Sequence, residues 1–301
     1  MHMKLTEIQE ILSDSIFIGD ASEVFVDNFA PVEEANTRTV AWIRGTDAQS
    51  IAKISQGNAP IILAEKKFPI DHPEISDRLF FLCDNPRLSY SRLVRFYIAH
   101  QQEWGIHPTA VIHPDAEVAE HVSIGPYSII GRAKIASGTV IHGHCFIHDN
   151  TEIGERVHLH AHTCIGSDGF SFEWNEDGGI EKLPHIGKCI IEADVEIYPF
   201  ANVDRGTLGT VRVGRGTKLD HHVHVGHNCT VGENSIITAG VVMCGGSHVR
   251  NNVWVGVQTT IKEKCVVGSH SFIGLNSLVT KNVPESEVWV GSPAKFLRKK
   301  S

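Results

Sequence analysis

Aromatic residues make up only 7 % of this 301-residue chain, too few for a conventional core built around rings. Long apolar runs are missing as well. No stretch approaches the roughly 18 residues that a membrane span needs, and the amphipathic opening from Leu5 to Leu12 does not have the form of a signal peptide. Positive charge is in deficit: 27 Lys and Arg stand against 35 Asp and Glu, for a net −8, which argues against nucleic acid as a partner. The seven cysteines are odd in number and contain no CxxC pair or zinc-finger spacing. This excludes a disulfide framework and points to reduced thiols in a cytoplasmic protein. Met1-His2-Met3 reads as residues added ahead of a natural start at Met3, and Arg298, Lys299 and Lys300 read as a short solvated tail.

What the chain has instead is periodicity. Stepping by six from Val213 gives Leu219, Val225, Val231, Ile237, Met243, Val249, Val255, Ile261, Val267, Ile273 and Val279, all large aliphatics or Met. Four residues after each of these stands Thr, Val, Cys or Ser, and six of the twelve residues directly after the aliphatic are Gly. Ordinary amphipathic strands of period two would not hold a six-residue phase. The pattern predicts a left-handed parallel β-helix of hexapeptide repeats. In each hexad the aliphatic enters the core of a triangular prism and the small residue fills a corner, with Gly or Asn taking unusual backbone angles there. Three hexads make a coil of eighteen residues, and stability comes from stacking coils at roughly 4.8 Å.

The same pattern runs upstream from Ile106 to Ile130, slips by one residue to Ile135, and continues to Ile165. It breaks from Gly166 to Pro184 and resumes at Ile191. The break is read as an ejected loop carrying Phe170, Phe172 and Trp174, and long excursions from a rigid scaffold usually bind something. Before Trp104 there is no hexad pattern. TVAWI (39–43), PIILA (60–64) and LFFL (79–82) read as buried strands. Asp47–Gln56 and Leu88–His100 read as helices, the second capped by Asn85 with Pro86 in its first turn. The expected organisation is a small N-terminal α/β domain (1–104), the β-helix (105–284) and a C-terminal tail (285–301).

Nineteen histidines are the most unusual count. The repeat stacks His142 under His160 and His144 under His162, which reads as a polar ladder on one prism face, with a metal site as the sharper alternative. In LDHHVHVGHN (219–228), His227 falls two residues after a core aliphatic and points outward near a corner, with Gly245 and Gly246 one coil later. A histidine beside bare glycine backbone offers a base, a slot and an exposed N–H donor. That suits attack of an amine on a thioester: an imidazole of pKa about 6.5 takes the amine proton, and the Gly245 N–H stabilises the oxyanion.

NPRLSYSRL (85–93), GSDGF (166–170), DRGTL (204–208), GHNCTVGEN (226–234) and TAGVVMCGG (238–246) together resemble the UDP-3-O-acylglucosamine N-acyltransferase family over nearly the whole chain. The resemblance implies a metal-free homotrimer with active sites between neighbouring β-helices, a nucleotide-binding N-terminal domain, and His227 of the HN pair as general base. It places the family's base-stacking aromatic at Trp42. Asp168, Phe170, Phe172, Asp204 and Asn228 join Trp42 as candidate substrate contacts, and Gly246, Lys262, Lys264 and Lys281 are candidate donor contacts. Three departures stand out. Gly45 and Ala48 occupy positions after Trp42 where polar and aromatic residues are expected, and a later histidine is replaced within IKEKCV (261–266). The ending GSPAKFLRKKS looks like that of coenzyme A-dependent acetyltransferases, where the lipid A enzymes continue into a helical extension that engages acyl carrier protein.

The expected activity is therefore N-acylation of a nucleotide-linked (dTDP or UDP) amino-deoxy sugar for a surface polysaccharide, with a short acyl-CoA as donor. The second reading is the lipid A enzyme with acyl carrier protein. A third is a metal-dependent hydratase of the γ-carbonic anhydrase type, and a purely structural β-helix is the non-enzymatic alternative.

Overall fold

A computed structural model describes residues 2–19 and 24–300. The chain forms two compact units, Met1–Glu103 and Trp104–Ser301.

The second unit is the left-handed β-helix. Its short parallel strands stack into three faces. Face one begins at Gly105–Ile106 and has eleven strands, face two begins at Val111–Ile112 and has nine, and face three begins at Glu117–Val118 and has eight. The aliphatic column is fully buried: Leu219, Val225, Ile237, Met243, Val255, Ile261 and Val279 are each 0 % exposed. Cysteine serves as filler in the same interior, and burial pushes the Cys189 thiol up to about 12.

The small-residue column turns out to be more than filler. Thr217 Oγ1 donates to the Gly232 carbonyl at 2.6 Å and accepts from the Ser235 N–H at 3.0 Å. Ser235 Oγ in turn donates to the Arg250 carbonyl at 2.9 Å and accepts from the Val253 N–H at 3.1 Å. Each hydroxyl thus ties its own coil to the next and satisfies backbone groups that the tight corner would leave unpaired. The glycine reading needs a correction. Left-handed backbone falls three residues after the aliphatic, at His222, Asn228, Asn234, Gly246, Asn252 and Lys264. Glycine directly after the aliphatic answers instead to close approach: a Cβ on Gly214 would lie 2.7 Å from the Gly232 carbonyl carbon, and one on Gly226 2.8 Å from the Met243 oxygen.

At the expected slip Ile135 pairs with Val118, seventeen residues before it, and the Ala133 N–H bonds back to the Gly131 carbonyl at 2.8 Å, so the corner is shortened by one residue. Two coils are longer than eighteen. One carries the expected excursion, which includes an antiparallel hairpin of Phe172–Trp174 and Ile180–Lys182. The other was not anticipated: Val203 pairs with Val225, twenty-two residues on, so a second, smaller insertion lies after Val203. Residues 285–300 are not a loose tail. Glu287–Val290 continues face one beside Phe272–Ile273, and Lys295–Lys299 folds back antiparallel on it, so a two-stranded flap extends the sheet.

The first unit carries a five-stranded sheet in the order Ile16–Ile18, Leu79–Cys83, Ile61–Glu65, Thr39–Trp42, Asn28–Phe29. The three central strands are those expected. Helices Ala48–Gln56 and Pro86–Ala99 are capped by Asp47, which accepts from the Ser50 N–H at 2.9 Å, and by Asn85, which accepts from the Leu88 N–H at 3.1 Å. Among the described residues no helix is long and apolar enough to cross a membrane.

Candidate active site

The corner between faces two and three gathers most of the expected site. Both insertions leave the helix there, in successive coils, and His227 follows in the next coil two residues past Val225. Gly245 stands one coil further, since Met243 pairs with Val225. The imidazole lies directly over that glycine: a Cβ on Gly245 would sit 2.5 Å from His227 Nε2. Among the described residues nothing accepts from the Gly245 N–H, whereas the Gly246 N–H is taken by the His227 carbonyl at 2.8 Å. Gly246 therefore shapes the corner with its left-handed backbone (φ +71) and offers no free donor there.

The second insertion braces the base. The Asn228 side chain accepts from the Thr207 N–H at 2.9 Å and donates to Thr207 Oγ1 at 3.1 Å, which turns its amide nitrogen to 3.3 Å from His227 Nδ1. Asp204, 4 % exposed, accepts from Ser167 Oγ at 3.0 Å and Asn202 Nδ2 at 2.7 Å, and lies 3.9 Å from His224 Nε2. Asp168 pairs with Lys182 at 2.5 Å and with Arg205 at 3.7 Å. The Lys182 hydrogen bond is the main cause holding its carboxyl below the usual range. Of the loop's aromatics, Phe170 is 87 % exposed and touches Phe172, the ring centroids 4.8 Å apart. Neither ring contacts the base; Gly169 between them and Asp168 does. Lys262, Lys264 and Lys281 rise along the same corner in the two coils after Gly245, and Lys262 lies 3.5 Å from Glu263.

The comparisons with known proteins bear on the chain's family. Residues 210–245 match the bacterial transferase hexapeptide family (six repeats). The UDP-3-O-acylglucosamine N-acyltransferase of Polynucleobacter asymbioticus is 30 % identical over 239 residues, covering 70 % of this chain and 67 % of that protein. The chain belongs to the UDP-3-O-acylglucosamine N-acyltransferase family. The protein of the same name from Caulobacter sp. strain K31 is 29 % identical over 91 % of this chain and 84 % of its own. Among solved structures, the UDP-N-acetylglucosamine O-acyltransferase of Moraxella catarrhalis superposes with a TM-score of 0.59 at 29 % identity, over 64 % of this chain and 73 % of that one. The chain is accordingly an N-acyltransferase by family, and the hydratase reading falls. The stacked histidines form aromatic columns instead: His142 on His160 at 5.1 Å, and His144, His162, Phe200 and His222 in series at 4.9–5.2 Å. These columns run along the corner between faces one and two, away from His227.

The surroundings of His227 bias its protonation. Burial holds His227 below the ordinary histidine value of 6.5; the neighbouring His185 and His224 act in the same direction, and Asp204 opposes them. His185 was not anticipated, nor were Thr207 and Arg205. They sit in the two insertions, where no repeat phase marks which residue returns to the corner.

Trp42 lies in the other unit. It is half-buried on its strand and lines a cavity of about 490 Å³ with Phe29, Val32, Arg44, Lys53 and Tyr90. The Tyr90 ring is 6.4 Å from it. Glu33 lines the same cavity and pairs with Lys53 at 3.0 Å, so the aromatic wall stands beside one ion pair and the Arg44 guanidinium.

Proposed function

We propose that this protein transfers an acyl group from a thioester to the amine of a UDP-linked 3-O-acylated glucosamine. The observation that carries the reading is the His227 imidazole seated on the bare Gly245 backbone. The amine nitrogen attacks the thioester carbonyl carbon while His227 removes an amine proton. The oxyanion develops beside the Gly245 N–H, and the carbon–sulfur bond then breaks, with the proton passing to the leaving sulfur to give a thiol. Base action at Nε2 requires the other ring nitrogen to carry the proton. The Asn228 contact at 3.3 Å is longer than a normal hydrogen bond of about 2.7–3.2 Å and too weak to hold the ring in the opposite form.

The relatives support the UDP-acylglucosamine acceptor, the second of the readings above, over a nucleotide-linked amino-deoxy sugar acylated by a short acyl-CoA. On this reading the donor is an acyl group on acyl carrier protein, the assembly is a cytoplasmic homotrimer, and the Trp42 cavity takes the uracil. Lys262, Lys264 and Lys281 would meet donor phosphate, a group that coenzyme A and the carrier protein's phosphopantetheine arm share. Mass spectrometry of products formed from UDP-3-O-acylglucosamine with acyl carrier protein or coenzyme A thioesters tests the donor. Faster N-acylation from the carrier protein is expected; turnover with acetyl-CoA alone would restore the short-chain reading.

A further inference from the structure

The imidazole of His185 closes the excursion on the base. Its side chain is 3 % exposed, and neither ring nitrogen has a hydrogen-bond partner among the described residues. Such a group is expensive to bury, and an apolar ring of the same size would pack there at less cost. Its ring centroid lies 5.2 Å from that of His227, edge to face at 68°. Gly169, from the outgoing arm of the excursion, is wedged between the two: a Cβ there would meet His227 Cβ at 2.6 Å and His185 Nε2 at 2.9 Å. The return arm is pinned beside them. The Ile186 N–H donates to the Thr207 carbonyl at 2.9 Å and the Gly187 N–H to that of Gly206 at 3.0 Å, and Thr207 is the residue that holds Asn228.

Gly169, His185, Asn228 and, below it, Gly245 thus surround the imidazole, and Thr207 holds Asn228 and the return arm in place. We infer that His185 is the positioning residue of this site, clamping the His227 imidazole over Gly245 through the closed excursion. The inference rests on the acyl-transfer reading for its kinetic consequences but not for its physical ones. The charged and titratable groups facing His227 are His185, Asp204 and His224, and Asp168 and Arg205 flank the excursion mouth. Removing His185 takes away a neighbour that disfavours imidazolium, so the base should titrate higher without it.

The test uses full-length protein labelled with 13C-histidine, as wild type, His185→Ala, His185→Phe and, as a control on a distant corner, His270→Asn. In His185→Ala the ring of the base is freed, and kcat should fall on the order of tenfold to a hundredfold at every pH with KM within about twofold. In His185→Phe the ring contact survives. There kcat at pH 8 should recover well above that of His185→Ala, while the His227 titration and the acid limb of kcat both move to higher pH. His270→Asn should change neither. Unchanged kcat in His185→Ala, or a His227 titration unmoved in His185→Phe, overturns the proposal. If His185→Ala does not fold, His185→Phe and the milder His185→Gln decide by the titration alone. A moved titration in a protein that acylates no amine would instead sink the acyl-transfer reading and leave the clamp standing.

Discussion

The imidazole lies close against Gly245, which makes that glycine as sensitive as the proposed base. Its backbone is not in the left-handed region, so alanine is tolerated conformationally. A methyl group 2.5 Å from Nε2 would nonetheless push the ring aside, because a side chain yields more easily than a stacked coil. Gly245→Ala is therefore expected to fold normally and lose on the order of a hundredfold in kcat, checked by steady-state kinetics beside thermal unfolding. The base works only when neutral, and burial with His185 holds it below 6.5. Activity should fall as pH drops through that lowered value, so the acid limb of kcat has its midpoint below 6.5; a midpoint above 6.5 would assign the limb to another group. His227 and Gly245 were legible in the sequence because they keep the six-residue phase. His185, Thr207 and Arg205 were not, because an insertion of unknown path hides which of its residues comes back to the corner.

At the scale of the hexad, the aliphatic column and the corner hydroxyls carry the fold in different ways. The aliphatics exclude water, and the period alone identified them. The hydroxyls bind one coil to the next, which residue size alone did not reveal. Ser235 is buried, donates to one carbonyl and accepts one N–H. Ser235→Ala leaves two backbone groups without a partner, and should lower stability by about 1–3 kcal/mol. Urea unfolding would show this as a lower midpoint at constant slope. In the first unit the cap at Asn85 was visible, and so were the three central strands, whereas Asp47 was read inside its helix and is the cap. The outer strands Ile16–Ile18 and Asn28–Phe29 are two or three residues long, too short for any period to register. The C-terminal flap escaped notice for a related reason: Lys295–Lys299 is exposed along its length and offers no buried column to count.

Over the whole molecule, chemistry is proposed in one unit and nucleotide recognition in the other, each legible to a different degree. The β-helix announces itself through its repeats, and the proposed base and oxyanion donor follow from stacking. Trp42 was singled out on resemblance alone; it lines a cavity with Phe29, Arg44, Lys53 and Tyr90, which is proposed to take the nucleotide. Trp42→Ala should raise KM for the nucleotide sugar and leave kcat nearly unchanged, since stacking on a base remote from the reacting amine binds substrate and transition state alike. A fall in kcat with KM unmoved would place that cavity outside nucleotide binding. The central claim, transfer of an acyl group to the acceptor amine by His227, is tested most directly by one comparison. Wild type and His227→Ala are incubated with UDP-3-O-acylglucosamine and acyl carrier protein thioester, and the N-acylated product is quantified by mass spectrometry. The account predicts product from wild type and a rate lower by roughly a hundredfold or more in the folded variant; equal rates, or no N-acylated product from wild type, would contradict it.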